Sequence, residues 1–396
     1  MERLYKVCGV VFMLALGLPA VQRMTKVFPS AALDGVESKM ARPRLTLRSW
    51  WSGEYQRQRE AYDNERVGFR GPLVRTYNQI QFSLFEKVAG RRGTQLVVGR
   101  DGWLYEWEYV RYYVWPGRCP ERKLEPLVAG LRRLQDALDR RGVVLVVAIS
   151  PSKPEIYPEH LPVRIQSQPR RAETETDYAR MIGLFERYGI RRVDGHALFK
   201  TWKSAAAYPL FPPVGVHWNQ YGAFLMTRQI LDTVRTISGK PVPAPECAAV
   251  EWRLPEGSDL DLGRLLNVWR CRGAGVPVPY PRYAAPLAGT YRPSLLLVGD
   301  SFSFTLIDVL RGAGICRDCH LLYYYKRLYT YAEGDPQKDH ARVPNRPARG
   351  EQIDWDQVVF GKDAIILEIN EVTVAQLGWG FIDDALRRVE RATDRP

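Results

Sequence analysis

Two short motifs place residue types that suit acyl transfer beside predicted helix starts. The first, Gly299-Asp300-Ser301-Phe302, directly follows the apolar run 294–298. A serine at such a turn has its hydroxyl at a helix N-terminus, where free N–H groups and the helix dipole stabilise negative charge. An acyl-transfer nucleophile requires that environment, because the tetrahedral intermediate carries an oxyanion. The alternative is that Ser301 only caps its helix, since serine is a favoured N-cap residue.

The second motif is Val216-His217-Trp218-Asn219-Gln220-x-Gly222, in which the histidine precedes a predicted helix. A cation is disfavoured at a helix N-terminus, so we expect the imidazole of His217 to be neutral and available as a general base. The chain has five histidines, and a single histidine is more often structural. A catalytic base and a core histidine are therefore the two interpretations of this motif.

The elements that position these motifs are predicted from hydrophobic periodicity, because continuous β-branched runs favour buried strands and apolar residues every three or four positions favour helices. The predicted strands are 94–99, 103–105, 143–149, one near 193, 294–298, 321–325 and 364–369. The predicted helices are 73–88, 122–141, 174–188, 218–236, 302–310 and 374–389. This alternation is typical of a doubly wound α/β sheet, in which ligands bind at the carboxyl ends of the strands. The polar clusters 150–153, 299–301 and 368–371 all follow predicted strands.

Composition excludes several classes of protein. Of the 396 residues 45% are hydrophobic and 26% charged, which excludes a disordered or fibrous chain. Lys plus Arg is 57 and Asp plus Glu is 44, so 57 − 44 gives +13, a charge that suits an anionic polymer or an anionic membrane surface. Six cysteines are too few for a disulfide framework. Cys316 and Cys319 form one CxxC, which lacks the second pair of a zinc site, so we predict no metal.

The N-terminal segment predicts membrane targeting. Residues 7–21 carry no charge, and a helix that starts at Leu4, with Lys6 reaching the headgroups, is ~27 Å long and spans a slightly thinned bilayer. Leu18 and Ala20 make a poor cleavage site. We therefore predict residues 1–24 as a membrane anchor, with a cleaved signal peptide or a buried helix as alternatives. We predict that a lead-in segment at 25–93 follows the anchor. A catalytic domain at 94–396 comes next, with a proline-rich insertion at about 240–293.

Together the motifs resemble those of the alginate O-acetyltransferase family, which has an SGNH-hydrolase-like domain. The shared features are GDSF after a buried strand, HWNxxG before a helix, the entry Gly99–Tyr105 and the lysine loop Lys153–Pro158. The resemblance covers about residues 60–390 and implies a doubly wound, three-layer α/β sandwich with an N-terminal anchor. It also implies that Ser301 is the nucleophile and His217 the general base.

The resemblance further implies an enzyme of the periplasm, held at the inner membrane. Such an enzyme carries an acetyl group as a serine ester and transfers it to exopolysaccharide hydroxyls. It uses no cofactor, because a membrane-bound O-acyltransferase supplies the acetyl group. A carbohydrate esterase, in which water is the acceptor, is the alternative within the same chemistry.

The sequence departs from the family pattern beside the histidine. The family has an aspartate two residues before it, whereas this chain has Gly215. The orienting carboxylate fixes the histidine tautomer, and its loss in a triad enzyme costs ~10⁴ in rate. Three explanations of this departure are open. Another acid replaces the aspartate, or a Ser–His dyad operates with a backbone carbonyl orienting the ring. In the third, the chain is an inactive accessory subunit that binds polysaccharide and the membrane acyltransferase. The candidate replacement acids are Asp194, Asp300 and Glu368.

Two further residues are candidates for contact with the intermediate or the substrate. SGNH enzymes complete the oxyanion hole with an asparagine amide, and Asn370 is the asparagine at the end of a predicted strand. Its alternative role is to cap a loop. Lys153 either binds a substrate carboxylate or pairs with Glu155.

Overall fold

The computed structural model describes residues 2–29, 31–35, 40–88, 96–117, 119–169, 176–287, 289–331 and 340–393. The chain divides into two compact units, residues 1–91 with 263–271 and residues 92–262 with 272–396. The predicted boundary at 93/94 and the predicted starts of elements at 94 and 174 lie outside the described residues. The domain boundaries therefore stay predictions.

The first unit is helical. Its helices are α1 (Glu2–Thr25), α2 (Leu47–Trp51), α3 (Glu54–Glu65) and α4 (Arg70–Phe85). The span Arg3–Thr25 of α1 is long and apolar enough to cross a membrane, with a mean hydropathy of 2.0. An apolar helix of this length fits the predicted single anchor, whereas its retention or cleavage stays a prediction.

The second unit contains the sheet and the remaining helices. Its strands are β1 (Leu96–Val98), β2 (Leu104–Glu106), β3 (Val144–Ser150), β4 (Arg192–Asp194), β5 (Cys247–Arg253), β6 (Val278–Tyr283), β7 (Ser294–Gly299), β8 (Asp318–Tyr323), β9 (Arg327–Tyr331), β10 (Asn345–Pro347) and β11 (Ala364–Asn370). Its helices are α5 (Trp107–Val114), α6 (Glu121–Asp139), α7 (Lys153–Ile156), α8 (Val163–Gln166), α9 (Asp177–Arg187), α10 (Gly195–Ala205), α11 (Gln220–Ser238), α12 (Asp261–Leu265, which begins in this unit), α13 (Phe302–Gly312) and α14 (Phe381–Thr393).

The central sheet has seven strands in the order β10-β9-β8-β7-β11-β3-β4, and β8 to β4 in that order run parallel. Alternate side chains of its buried strands enter two different cores. Val144, Val146 and Ala148 of β3 pack with residues of α11 and α13, whereas Leu145 and Val147 pack with residues of α6, α9 and α14 on the other face. Strands buried on both faces require helices on both sides. The predicted doubly wound α/β sandwich of three layers is confirmed.

The edge strands of the sheet and the start of the last helix differ from the sequence prediction. The antiparallel edge strands β9 and β10 were not predicted, because edge strands lack a continuous apolar run. The helix predicted at 374–389 begins only at Phe381. Gly378, Trp379 and Gly380 have φ of 75°, 48° and 95°, and these left-handed residues interrupt a right-handed helix. Hydrophobic spacing alone does not register such a break.

The proline-rich segment predicted as an insertion or cover contains a two-stranded antiparallel sheet. β5 and β6 pair from Cys247 with Tyr283 to Arg253 with Val278. Because β6 has only one partner strand, Pro279 and Pro281 are tolerated there despite having no N–H to donate. The connection between these strands carries Asp261, at the start of α12.

Candidate active site

Ser301 lies at the turn between the buried strand β7 and α13. Its φ of −67° and ψ of −18° are helical, and its side chain makes no capping bond. Instead Oδ1 of Asp300 accepts the hydrogen bond of the Phe302 N–H at 2.9 Å. The Ser301 Oγ lies 2.8 Å from Nε2 of His217. The alternative in which Ser301 serves only as a helix cap is therefore wrong.

Glu368 lies beneath this turn and fixes its shape. It is fully buried at the end of β11 and accepts hydrogen bonds from the Asp300 N–H at 3.0 Å and the Ser303 hydroxyl at 2.9 Å. A Cβ on Gly299 would lie 2.1 Å from Oγ of Ser303 and 2.7 Å from Oε2 of Glu368, so only glycine fits there. Burial and the charge of Asp300 raise the pKa of Glu368 well above its ordinary value. Burial raises the pKa of Asp300 as well, so the protonated form is favoured in both carboxyl groups.

His217 is held between the serine and an acid. Its Nδ1 lies 2.8 Å from Oδ2 of Asp261, and Oδ1 of the same carboxylate accepts the N–H groups of Val216 at 2.9 Å and Leu262 at 2.6 Å. The ring packs edge-on against Phe302, with centroids 4.7 Å apart. Ser301, His217 and Asp261 thus have the geometry of a nucleophile, a base and an orienting acid.

Nearby acids favour the charged form of the imidazole, which corrects the expectation that the helix N-terminus keeps His217 neutral. Burial by itself lowers the pKa of His217, but the hydrogen bond and charge of Asp261, with the charges of Asp300 and Glu106, outweigh it and raise that pKa above 6.5. Burial and repulsion from Asp261 raise the pKa of Glu106. An imidazolium at this position is therefore stabilised in place.

Gly215 explains why the acid comes from a different element. A Cβ at this position would lie 2.6 Å from the Ser258 carbonyl oxygen and 2.8 Å from Cγ of Pro212. The segment before α12 fills that space and brings Asp261 to the ring. Asp261 follows His217 by 44 residues within the proline-rich segment, so no motif spacing pointed to it.

The three acids predicted from the sequence to orient the histidine bond elsewhere, and that prediction is corrected. Asp194 caps α10 by accepting the Ala197 N–H at 3.1 Å, and it also accepts the Tyr178 hydroxyl at 2.8 Å. Asp300 and Glu368 hold the serine turn. Each lies at or near a strand end as predicted. Residues in such positions can act in a site, but they can also hold the turns and helix starts around it.

Lys153 has a structural role that the sequence did not predict. Its side chain is buried, and Nζ donates to the carbonyl oxygens of Leu104 at 2.8 Å, Pro213 at 2.7 Å and Gly215 at 2.9 Å. These three bonds use the three protons of the ammonium group. Lys153 therefore has no donor left for a substrate carboxylate, and it holds the loop that leads to the histidine. Glu155, its other predicted partner, contacts Lys200 at 3.8 Å, and the pairing of Lys153 with Glu155 stays a prediction.

Asn370 caps a turn, as its alternative interpretation proposed. Its Oδ1 accepts the Val372 N–H at 3.1 Å, and its Nδ2 donates to the Pro151 carbonyl oxygen at 3.3 Å. The side chain is buried at the end of β11. The predicted oxyanion role of Asn370 therefore has no geometric support.

The other residues of the histidine motif build its support. Trp218 is fully buried and donates to the Thr305 hydroxyl on α13, the helix that follows the serine. Asn219 caps α11 by accepting the Gly222 N–H at 2.9 Å. A Cβ on Gly222 would lie 2.6 Å from the Leu210 carbonyl oxygen, so the motif needs glycine for close packing.

An aromatic cavity of about 410 Å³ lies beside Tyr324 and was not predicted. Burial raises the pKa of Tyr324, and hydrogen bonding with Ser301 opposes that effect. The Tyr324 N–H donates to the Gly299 carbonyl oxygen at 2.9 Å, which places this residue at the serine turn. The Tyr324 and Trp379 rings meet edge to face at 5.0 Å. Both residues, like Tyr325, have left-handed φ angles of 48–52°, and such strain clusters at functional sites. The cavity lining also includes Lys326, Arg349 and Gln376.

Among the described residues, no group of three or more His, Cys, Asp or Glu side chains is arranged to hold a metal ion. The six cysteines are present as thiols. The sulfurs of the CxxC pair, Cys316 and Cys319, are 2.7 Å apart in the core.

Residues 96–307, more than half of the chain, match the family described as "SGNH hydrolase-like domain, acetyltransferase AlgX". The chain is 30% identical over 165 residues to a protein from Pseudomonas aeruginosa named probable alginate O-acetylase AlgJ, covering 42% of this chain and 38% of that protein. It is 27% identical over 180 residues to the protein of the same name from Pseudomonas syringae, covering 45% of this chain and 42% of that protein. The matches thus span less than half the length of these relatives.

Two solved structures show similarity to this chain. The O-acetyltransferase domain of Pseudomonas putida AlgJ is 18% identical, with a TM-score of 0.46, and the comparison covers 74% of this chain and 99% of that domain. Bacillus cereus PatB1 is 13% identical, with a TM-score of 0.43, covering 72% of this chain and 97% of that one.

The family match includes Ser301, His217 and Asp261. It also confirms the resemblance drawn from the GDSF and HWNxxG motifs. The chain therefore belongs to the family of SGNH hydrolase-like domains of the acetyltransferase AlgX.

Proposed function

We propose that this chain is an anchored O-acetyltransferase that transfers an acetyl group through an ester on Ser301 to hydroxyl groups of an exopolysaccharide. The observation that carries the proposal is the chain of two 2.8 Å contacts, from the serine to His217 and from His217 to Asp261. Family membership supports it, as do the relatives named alginate O-acetylases. An accessory subunit without chemistry has no need of this alignment.

His217 moves the proton in both half-reactions. In the first, Nε2 takes the Ser301 proton while Oγ attacks the acetyl carbonyl, and the imidazolium then protonates the departing group. In the second, Nε2 takes the proton of a sugar hydroxyl, whose oxygen attacks the serine ester. The imidazolium returns a proton to Oγ as the acetyl group leaves. Asp261 holds the ring and stabilises the imidazolium in both steps.

Two donors are candidates for the oxyanion of the tetrahedral intermediate. The Ser301 N–H lies at the start of α13, where the helix dipole favours negative charge. Tyr324 lies beside the serine, and because burial raises its pKa the phenol stays protonated and able to donate. A donor placed where charge develops contributes more than one bound to the ground state.

The location and partners belong to the same proposal. The apolar helix α1 supports anchoring in the inner membrane, with the catalytic unit in the periplasm. No cofactor is needed, because a membrane-bound O-acyltransferase delivers the acetyl group. The net charge of +13 and the basic residues at the cavity, Lys326 and Arg349, favour an anionic polymer such as the alginate of the relatives' names.

The acceptor experiment separates transferase from esterase. The detergent-purified full chain receives p-nitrophenyl acetate and alginate oligosaccharides, and mass spectrometry follows the Ser301 peptide and the sugars. We expect an acetylated serine, then acetylated oligosaccharide, with both absent in Ser301→Ala. Release of acetate alone identifies an esterase. No turnover that depends on Ser301, together with unchanged polymer acetylation in cells that carry Ser301→Ala, makes the chain an accessory subunit.

A further inference from the structure

A basic cavity lies at the end of α1 where the apolar run stops. Residues 7–21 carry no charge, and Gln22, Arg23 and Lys26 follow them. When α1 spans a bilayer, residues just past its apolar run lie at the depth of the lipid headgroups. These residues line a cavity of about 580 Å³ in the first unit. Its basic lining residues are Arg23, Lys26, Arg66 and Arg70.

Residues at the end of α3 and just before α4 contact the last turns of α1. Both terminal nitrogens of Arg23 donate to Oδ1 of Asp63, near the end of α3, at 3.1 Å. A Cβ on Gly68 would lie 2.1 Å from the Pro19 carbonyl oxygen, so the backbone before α4 packs directly on α1. The end of α3 and the start of α4 are therefore held at headgroup depth with the last turns of the span.

The short helix α2 presents apolar side chains to solvent. Thr46 caps it by accepting the Ser49 N–H at 3.1 Å. Leu47 and Trp51 are 91% and 92% exposed, and positions four apart lie on the same helix face. Trp50 beside them is also exposed. Tryptophan is enriched at membrane–water interfaces because its ring is apolar and its N–H is polar.

Basic residues surround these features. Residues 23–75 contain 11 Lys or Arg and six Asp or Glu, so 11 − 6 gives +5. Arg42, Arg44 and Arg48 are exposed on and just before α2, and Arg23, Arg59 and Arg66 form ion pairs within the described part of this unit. Basic segments next to a membrane helix are attracted to anionic lipid, by about 1 kcal/mol for each Lys or Arg near the surface.

We propose that the first unit binds the surface of an anionic lipid bilayer around α1. The cavity takes a phospholipid phosphate, and α2 inserts Leu47 and Trp51 among the headgroups. Continuity with the spanning helix and the excess of positive charge favour lipid over a protein partner as the occupant. This goes beyond the proposed enzymatic function, because it assigns a role to residues before the family match, which starts at 96.

The tryptophans allow a direct test of insertion, because α1 contains none and all 11 lie outside it. The full chain is reconstituted in nanodiscs whose lipids carry bromine on the acyl chains, which quench nearby indoles. We expect W50F/W51F to lose about half or more of the quenching, because interfacial tryptophans contact the acyl region. Trp252, 55% exposed in the other unit, gives the control W252F. Equal losses in both variants, or none in W50F/W51F, would overturn the insertion.

The charge variant K26Q/R70Q tests the cavity. Its control is R122Q/K123Q on α6, which removes the same charge from exposed residues of the other unit. Native mass spectrometry of the full chain in detergent counts retained phosphatidylglycerol and phosphatidylcholine. We expect phosphatidylglycerol retention to fall about fivefold or more in K26Q/R70Q only, given the cost of losing two basic contacts. Displacement of the lipid by equimolar inorganic phosphate, or equal retention in both variants, would overturn a lipid site. Both outcomes are independent of Ser301 chemistry.

Discussion

Two histidine–acid pairs of the second unit meet a serine in different ways. In the first, Asp261 contacts Nδ1 of His217 at 2.8 Å and the Ser301 hydroxyl contacts Nε2 at 2.8 Å. The serine is partly exposed at a strand-to-helix turn beside the aromatic cavity. The Ser301 hydroxyl therefore has an acceptor for its proton and stays accessible on one side.

The second pair has the same residue types and is closed. His196 contacts Glu371 through Nδ1, and the ring stacks on Tyr178 with centroids 4.2 Å apart. Ser152 donates its backbone N–H to Glu371 at 2.7 Å. Hydrogen bonding with the Ser152 hydroxyl also lowers the pKa of Glu371. His196, Glu371 and Ser152 are all buried.

The two pairs show that a histidine, an acid and a serine in one cluster do not by themselves define an active site. Glu371 follows β11 and Ser152 follows β3, so the closed pair joins the ends of two neighbouring strands. The open pair joins the serine turn to a loop and to the start of α12. Access distinguishes the two clusters, because Ser301 is partly exposed whereas Ser152 is buried.

The largest expected effect is the loss of acylation in Ser301→Ala, with Ser152→Ala as the matched control. The first variant removes the nucleophile, so the burst with p-nitrophenyl acetate should vanish. Ser152→Ala removes a buried hydroxyl of the closed pair, to which the proposed function assigns no chemistry, so the burst should equal that of the wild type. Stopped-flow absorbance measures both bursts. A lost burst in correctly folded Ser152→Ala would place chemistry in the closed pair and break the comparison.

The next largest effect is expected for Asp261→Asn. Losing an orienting carboxylate lowers kcat by ~10⁴ in a triad enzyme, and we expect a loss of that order here. Steady-state kinetics with the same ester measures it. A kcat within tenfold of the wild type would show that His217 is oriented without Asp261.

Glu371→Gln is the matched variant of the closed pair, and its effect should be on stability. Burial alone raises the pKa of Glu371, but the charge and hydrogen bond of His196 outweigh it and hold the pKa below 4.5. This stabilisation is present above pH 4.5 and is lost as the pH falls through the folded pKa. Breaking a buried pair costs roughly 3–5 kcal/mol at neutral pH. Urea unfolding measures this loss, and kcat should not change.

Gly215→Asp restores the family's aspartate position and should lower activity. The new Cβ would meet the Ser258 carbonyl oxygen at 2.6 Å and push away the segment that carries Asp261. Overpacking costs about 1–3 kcal/mol, and the displaced acid should reduce kcat about tenfold or more, since orientation of His217 is lost. Gly215→Ala tests the steric cause without a new charge. Increased activity in Gly215→Asp would show that Asp261 is not the working acid.

Much of the fold was predictable because β3, β7 and β11 are continuous apolar runs and α6 and α11 repeat apolar residues at helical spacing. Ser301 and His217 were predictable because each lies at the junction of such elements. Asp261 was not, because its contact depends on the path of a proline-rich segment after α11. Tyr324 and Trp379 were not, because left-handed φ angles leave no periodic signal. Local pattern therefore predicted that Ser301 and His217 belong to one site, and tertiary packing brought Asp261 and the cavity to it.

The smallest expected effect is a shift in the pH dependence of acylation. The neutral imidazole of His217 is the active form, so the rate should rise with pH through the pKa of His217. Asp261 is the main cause that raises this pKa above 6.5, against the lowering effect of burial. The residual activity of Asp261→Asn should therefore show its rising limb at lower pH than the wild type, whereas Glu371→Gln should leave the limb in place. Burst rates measured from pH 5 to 9 decide this. An unshifted limb in Asp261→Asn, or an equal shift in both variants, would show that the Asp261 carboxylate does not set the basicity of His217.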